Sequence, residues 1–158
     1  MTETTLQRIA RKTGNKPTEC GCTMCQQQCQ TPCVGTPEDM FKIIEAGYSD
    51  RLVMKPWIAG AILLPKDHKP VLMLQSKMNP ETKHCTFFQN GKCELHDLGL
   101  KPTEGKLSHH SLSKTNFNPK KAISLYVAKE WINTTMTEMD RLINKYIKPK
   151  IESCQENN

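Results

Sequence analysis

The chain has 158 residues, a formal charge of +6 and 8 cysteines, with 37% of its residues hydrophobic. One core of about 100–200 residues is the expectation, which excludes a multi-domain enzyme. The longest apolar run, Trp57–Leu64, stops at Pro65, and the first residues lack the basic and apolar regions of a signal peptide, so a cytoplasmic protein with no membrane partner is expected.

Residues Thr2–Lys12 suit a short helix, with Leu6, Ile9 and Ala10 on one side and Gly14 past its end. The cysteine segment that follows contains almost no apolar residues, so a hydrophobic core cannot order it. Thr36-Pro37-Glu38-Asp39 is a helix start, with a capping hydroxyl, proline at the first position and acids near the positive helix end. Phe41, Ile44 and Ile43 are its expected buried face, Gly47 its end, and Ser49–Leu52 a further turn.

Trp57–Leu64 and Val71–Leu74 read as two strands joined by Pro65–Pro70, too short a link for a crossover helix, so a hairpin is predicted. Cys85-Thr-Phe-Phe-Gln-Asn-Gly-Lys-Cys93 predicts a second, tighter hairpin, with Asn90-Gly91 supplying positive φ at the turn. From Pro119 to Lys148 apolar residues recur at three- and four-residue steps. One long helix is predicted there, either packed on the sheet or presenting a homodimer or protein-partner face.

Seven of the cysteines fall in two clusters, Cys20-x-Cys22-x2-Cys25-x3-Cys29-x3-Cys33 and Cys85-x7-Cys93, while Cys154 stands alone in the polar tail 151–158. Clustered thiols in a reducing compartment point to metal or catalysis rather than disulfides. Thiolates two to four residues apart converge on one ion without a folded scaffold. Cys25 and Cys29, one helical turn apart, would aim their sulfurs the same way. His96 adds an imidazole just after Cys93, and seven thiols with one imidazole suffice for two tetrahedral sites. Four of the thiolates could instead hold an iron–sulfur cluster. The spacings fit neither the ferredoxin run nor a zinc ribbon with two C-x2-C knuckles.

With seven bound thiolates and two divalent ions, the basic excess would fall to about +3. It therefore offsets an anionic metal site more readily than it marks a nucleic-acid surface. Aromatic residues are only 6% of the chain, too few for a stacking platform. The alternative reading is a basic nucleic-acid-binding module stabilised by structural zinc. No paired carboxylates and no clear catalytic base are visible, which leaves an enzymatic role open. Asp67-His68 reads as turn chemistry, His109-His110 as two solvated histidines, and Lys101, Lys106 and Lys114 as a solvated basic face.

Cys33-x-Gly35-Thr36-Pro37-Glu38-Asp39 with its helix, and Cys85–Cys93 followed by Glu94-Leu95-His96, carry a resemblance to a known family. They resemble the YkgJ-type cysteine-cluster proteins, described as zinc- or iron-chelating domains. Lys101-Pro102 fits that family's Arg-Pro and Lys106 its later Arg, but Gly105 stands where a further cysteine belongs. Cys20, Cys22, His96, His109 or His110 is left to take that ligand's place. The resemblance spans about residues 20–110 and implies a metal- or cluster-binding domain without specifying a reaction.

The expected architecture is one α+β domain over residues 1–150. Two antiparallel hairpins and helices support a metal core at about 20–110, and a long helix covers about 119–148. The expected ligands are Cys20, Cys22, Cys25, Cys29, Cys33, Cys85, Cys93 and His96, for zinc or an iron–sulfur cluster, in a structural, redox or metal-handling role.

Overall fold

The computed structural model describes residues 2–111, 117–134, 137–142 and 144–145. Helix α1 runs Thr5–Thr13, entered through a capping box between Thr4 and Gln7 and left through Gly14 at φ 78°. After an extended stretch, α2 covers Thr23–Gln27 and tightens into a 3-10 turn over Gln28–Gln30. Helix α3, Pro37–Glu45, begins as its sequence predicts, with Thr36 and Asp39 closing a reciprocal capping box. Its buried face is Met40, Ile43 and Ile44, whereas Phe41 is only half-buried.

Strand β1, Leu52–Pro56, pairs antiparallel with β2, Leu72–Ser76, in the register Leu52↔Ser76 to Pro56↔Leu72. The first strand therefore precedes the expected Trp57–Leu64 segment. Trp57 prolongs the ladder by one hydrogen bond, its N–H donating to the Val71 carbonyl at 2.8 Å. The chain then turns into the short helix α4, Gly60–Leu63. The run lacks the period-two alternation of a half-buried strand, and its Ile58 and Ile62 are both 83% exposed.

Strands β3, Phe88–Gln89, and β4, Lys92–Cys93, form the tight hairpin expected, with Asn90 at φ 50° and Gly91 at φ 81°. Helix α5, Glu94–Asp97, leaves it directly, and α6 covers Thr103–Leu107. Helix α7 runs only Ile123–Asn133, preceded by a 3-10 turn at Pro119–Lys121. Thr134 adopts extended backbone, its hydroxyl donating to the Glu130 carbonyl at 2.6 Å, and helix resumes over 137–142. The single helix expected over 119–148 is thus interrupted within the described residues, where Asn and Thr compete with helical hydrogen bonding. Residues 146–148 and Cys154 lie outside the described set.

These elements make an α+β fold around one core. Met40, Leu52, Met73, Phe87, Leu107 and Val127 are each no more than 1% exposed. The α7 stripe Ile123, Val127 and Trp131 is buried within the chain, with α1 and α6 packed alongside. The Trp131 indole N–H donates to the Gly35 carbonyl at 2.8 Å. One Asp39 oxygen accepts from the N–H groups of Thr36 and Thr103, both at 2.9 Å, and from the Thr103 hydroxyl at 2.7 Å, locking the starts of α3 and α6 together.

Gly35 is squeezed at this junction. A Cβ there would lie 2.8 Å from Met40 Cε and 2.9 Å from both Asp39 Cβ and Pro102 Cβ. Gly35→Ala is expected to cost about 1–3 kcal/mol by overpacking. Thermal unfolding should register it as a Tm drop of roughly 3–10 °C, and an unchanged Tm would show that the junction relaxes freely.

Candidate metal centre

Three cysteines of the first cluster meet a histidine from beyond α6. Cys22 caps α2 and Cys25 sits within that helix, while Cys20 lies two residues before the cap. The segment is hung on α6 by the Thr18 N–H, which donates to the Lys106 carbonyl at 3.0 Å. Past α6 the chain brings the His110 ring over α2. Its Nδ1 lies 3.3 Å from Cys22 Sγ, 3.5 Å from Cys25 Sγ and 3.6 Å from Cys20 Sγ. The His109 ring stacks on it with centroids 3.8 Å apart, and His109 Nδ1 is 2.8 Å from Ser111 Oγ.

All four ligand atoms lie within 4.8 Å of one another, close enough to hold a metal ion. Zinc–sulfur bonds of about 2.3 Å and zinc–nitrogen bonds of about 2.0–2.1 Å make the S···N edge of a tetrahedron about 3.5 Å. The observed edges bracket that value. Cys22 and His110 are exposed and Cys20 and Cys25 half-buried, so an ion could enter from solvent.

The thiols are unequal. The Cys22 thiol is lowered to about 7, first by the backbone N–H of Cys25 and then by the Cys20 side chain. Desolvation pushes Cys25 up to about 11, with the neighbouring Cys20 and Cys22 thiols adding to the effect.

Cys29, Cys33, Cys85 and Cys93, with Cys25 of the Cys3His group, line a cavity of about 330 Å³ against the apolar side chains of Met40, Ile43, Leu52, Phe87 and Leu95. The Cys85 N–H donates to the Cys29 carbonyl at 2.7 Å, and the Cys33 N–H to Ser76 Oγ at 3.3 Å. Burial pushes Cys29 up to about 11, with Cys93 and Cys85 adding and the Lys101 ammonium opposing. Burial raises Cys33 and Cys93 in the same direction. Glu104, on the same cavity wall, is pushed up to about 7 by burial although it accepts the Val34 N–H at 2.9 Å.

The expected cysteines fall in two groups that share Cys25: the Cys3His group, and the cavity that Cys25 and Cys29 both line with Cys33, Cys85 and Cys93. His96 joins neither group; its Nε2 is 4.0 Å from a Glu19 carboxylate oxygen. His110, read from sequence as solvated but also among the candidate stand-ins for the missing family ligand, stands among three sulfurs. The one available signal was arithmetic, since a C-x-C-x2-C trio lacks a fourth ligand and His109-His110 is a nearby imidazole source. Lys101, read as part of a solvated basic face, lines the thiol cavity, as does Gly105, where a Cβ would meet Cys33 Sγ at 3.0 Å. No family model, curated protein or solved structure matches this chain.

The lowered Cys22 thiol makes a pH prediction. In the reduced, metal-free chain it is thiolate above about pH 7 and thiol below, whereas Cys25 stays protonated to about 11. Iodoacetamide should label Cys22 well before Cys25 at pH 8, and Cys22 labelling should slow as pH falls through 7. Peptide mapping showing equal rates would contradict this ordering.

Proposed function

We propose that this chain is a zinc-binding module whose Cys20, Cys22, Cys25 and His110 hold one structural ion. The observation that carries the reading is the set of three S···N edges, 3.3, 3.5 and 3.6 Å, which suit a tetrahedral Cys3His shell. Four protein ligands leave no open position, so the ion's part is to order the chain around it. Zinc would join the cysteine segment to the turn after α6, two stretches linked otherwise by the Thr18–Lys106 hydrogen bond. A reducing cytoplasm would keep the thiols available. We also keep the YkgJ-type kinship as part of this proposal; the place of Gly105 beside Cys33 supports it.

Each ligand of such a site carries a share of the roughly 10–16 kcal/mol apparent zinc-binding energy, so losing one should weaken affinity about 100-fold or more. The chain purified anaerobically should hold zinc that His110→Ala and Cys22→Ala release to a chelator, while His96→Ala retains it. Acidification should free the ion, because thiolates must be deprotonated to bind. Zinc retained equally by wild type and His110→Ala would defeat the Cys3His assignment.

A further inference from the structure

We propose that the loop between β1 and β2, Trp57–Val71, seats this chain on an anionic membrane surface. Ile58 and Ile62 enter the bilayer interface, and Lys66 and Lys69 meet the headgroups. The groove in that loop shares no lining residue with the Cys3His group or the thiol cavity. The inference therefore stands or falls apart from the zinc reading.

The first observation is where the loop puts its apolar residues. Trp57 is buried, and Ala59, Leu63 and Leu64 pack against the core. Ile58 and Ile62 instead stand exposed, four residues apart along the turn that becomes α4. Leu72, register partner of the groove residue Pro56, is a third exposed apolar side chain. Large apolar side chains grouped at one exposed loop mark an interaction surface.

The loop is also braced. The Trp57–Val71 hydrogen bond closes it at the base, and the Leu63 and Leu64 N–H groups donate to the Ala59 and Gly60 carbonyls at 2.9 and 3.1 Å. The His68 N–H donates to the Pro65 carbonyl at 2.9 Å. Gly60 lets the turn lie against Trp57, since a Cβ there would meet the indole Cε3 at 3.0 Å. The two isoleucines are thus presented in place, and docking them costs little further ordering.

Charge selects the occupant. Lys66, His68 and Lys69 line the groove, of about 440 Å³, together with Trp57, Ile58 and Leu64. Residues 55–72 carry three lysines against one acid, Asp67, and no arginine. Protein interfaces favour exposed aromatics and arginine and are poor in lysine, the reverse of what this loop offers. A second copy on the same face would set Lys66 and Lys69 against their own counterparts. An anionic bilayer suits both halves. The isoleucines bury apolar area in the interface, while the lysine stems lie along it and hold their ammoniums at the headgroups. The expectation of no membrane partner concerned a spanning segment. Among the described residues no helix is long and apolar enough to cross a membrane, and a surface-seated loop needs no span.

The test is co-sedimentation of the full chain with vesicles of phosphatidylcholine alone and of phosphatidylcholine with phosphatidylglycerol. The chain should bind the anionic vesicles at least about tenfold more tightly, and the gain should shrink as salt rises from about 0.05 to 0.5 M. Ile58→Ser with Ile62→Ser, and separately Lys66→Glu with Lys69→Glu, should each weaken that binding about tenfold or more. All four side chains are exposed, so an unchanged Tm is expected and reports the fold. Should one pair disturb the fold, the other still decides. Lys120→Glu with Lys121→Glu, outside the groove, should leave binding within about threefold. Equal affinity for neutral vesicles, no binding to either, an equal loss with the Lys120 and Lys121 variant, or no loss with the isoleucine variant would each overturn the inference. So would a chain that ignores both vesicles yet dimerises, or takes up an acidic amphipathic peptide, through Ile58 and Ile62.

Discussion

The hydrogen bond from the Trp131 indole to the Gly35 carbonyl joins the hydrophobic half of the molecule to its cysteine half. An indole N–H buried in α7 needs an acceptor, and the carbonyl it finds lies two residues after Cys33. Gly35 must be small because Met40, Asp39 and Pro102 close around it. On either side Val34 N–H is held by Glu104, and Thr36 N–H by Asp39, whose carboxylate also grips the start of α6. Four consecutive residues, 33–36, thereby carry the position of the core into the thiol cavity.

Upstream of that junction the physics changes. No residue from Gly14 to Pro32 is buried, so hydrophobic burial contributes little to the conformation of this stretch. Its recorded backbone links to the rest of the protein are few: Thr18 to Lys106, and Cys29 to Cys85. Chain entropy of about 1–2 kcal/mol per ordered residue would outweigh such links alone. Metal–thiolate bonds are the one interaction this composition offers on that scale. The core positions Cys33, Cys85 and Cys93, and the polar segment brings Cys25 and Cys29 to the same cavity.

Local chemistry explains which features were legible in the sequence. The capping box of α3 and the Asn90-Gly91 hairpin involve residues within a few positions of each other, and both stand as expected. Trp57–Leu64 was misread because an apolar run without alternation carries no period to separate strand from helix. Its neighbour Leu52-Val53-Met54 forms the strand by pairing with residues about twenty positions away. The break in the C-terminal helix had a local cue in Asn133-Thr134, which the strong apolar periodicity on both sides masked. His110 was legible only as one of several stand-ins for the ligand missing at Gly105, because it reaches Cys22 across 88 positions and the choice among them depends on tertiary packing.

One 3-10 turn joins the Cys3His group to the thiol cavity. Cys25 lies in α2, and Cys29 follows four residues later at the centre of the 3-10 turn that ends the helix. An ion on Cys20, Cys22 and Cys25 would pin α2, and Cys29 would then sit by the cavity with little further loss of chain freedom. Cys25 itself stands in the Cys3His group and lines that cavity. Ordering the one would therefore order the other, with no movement of the core.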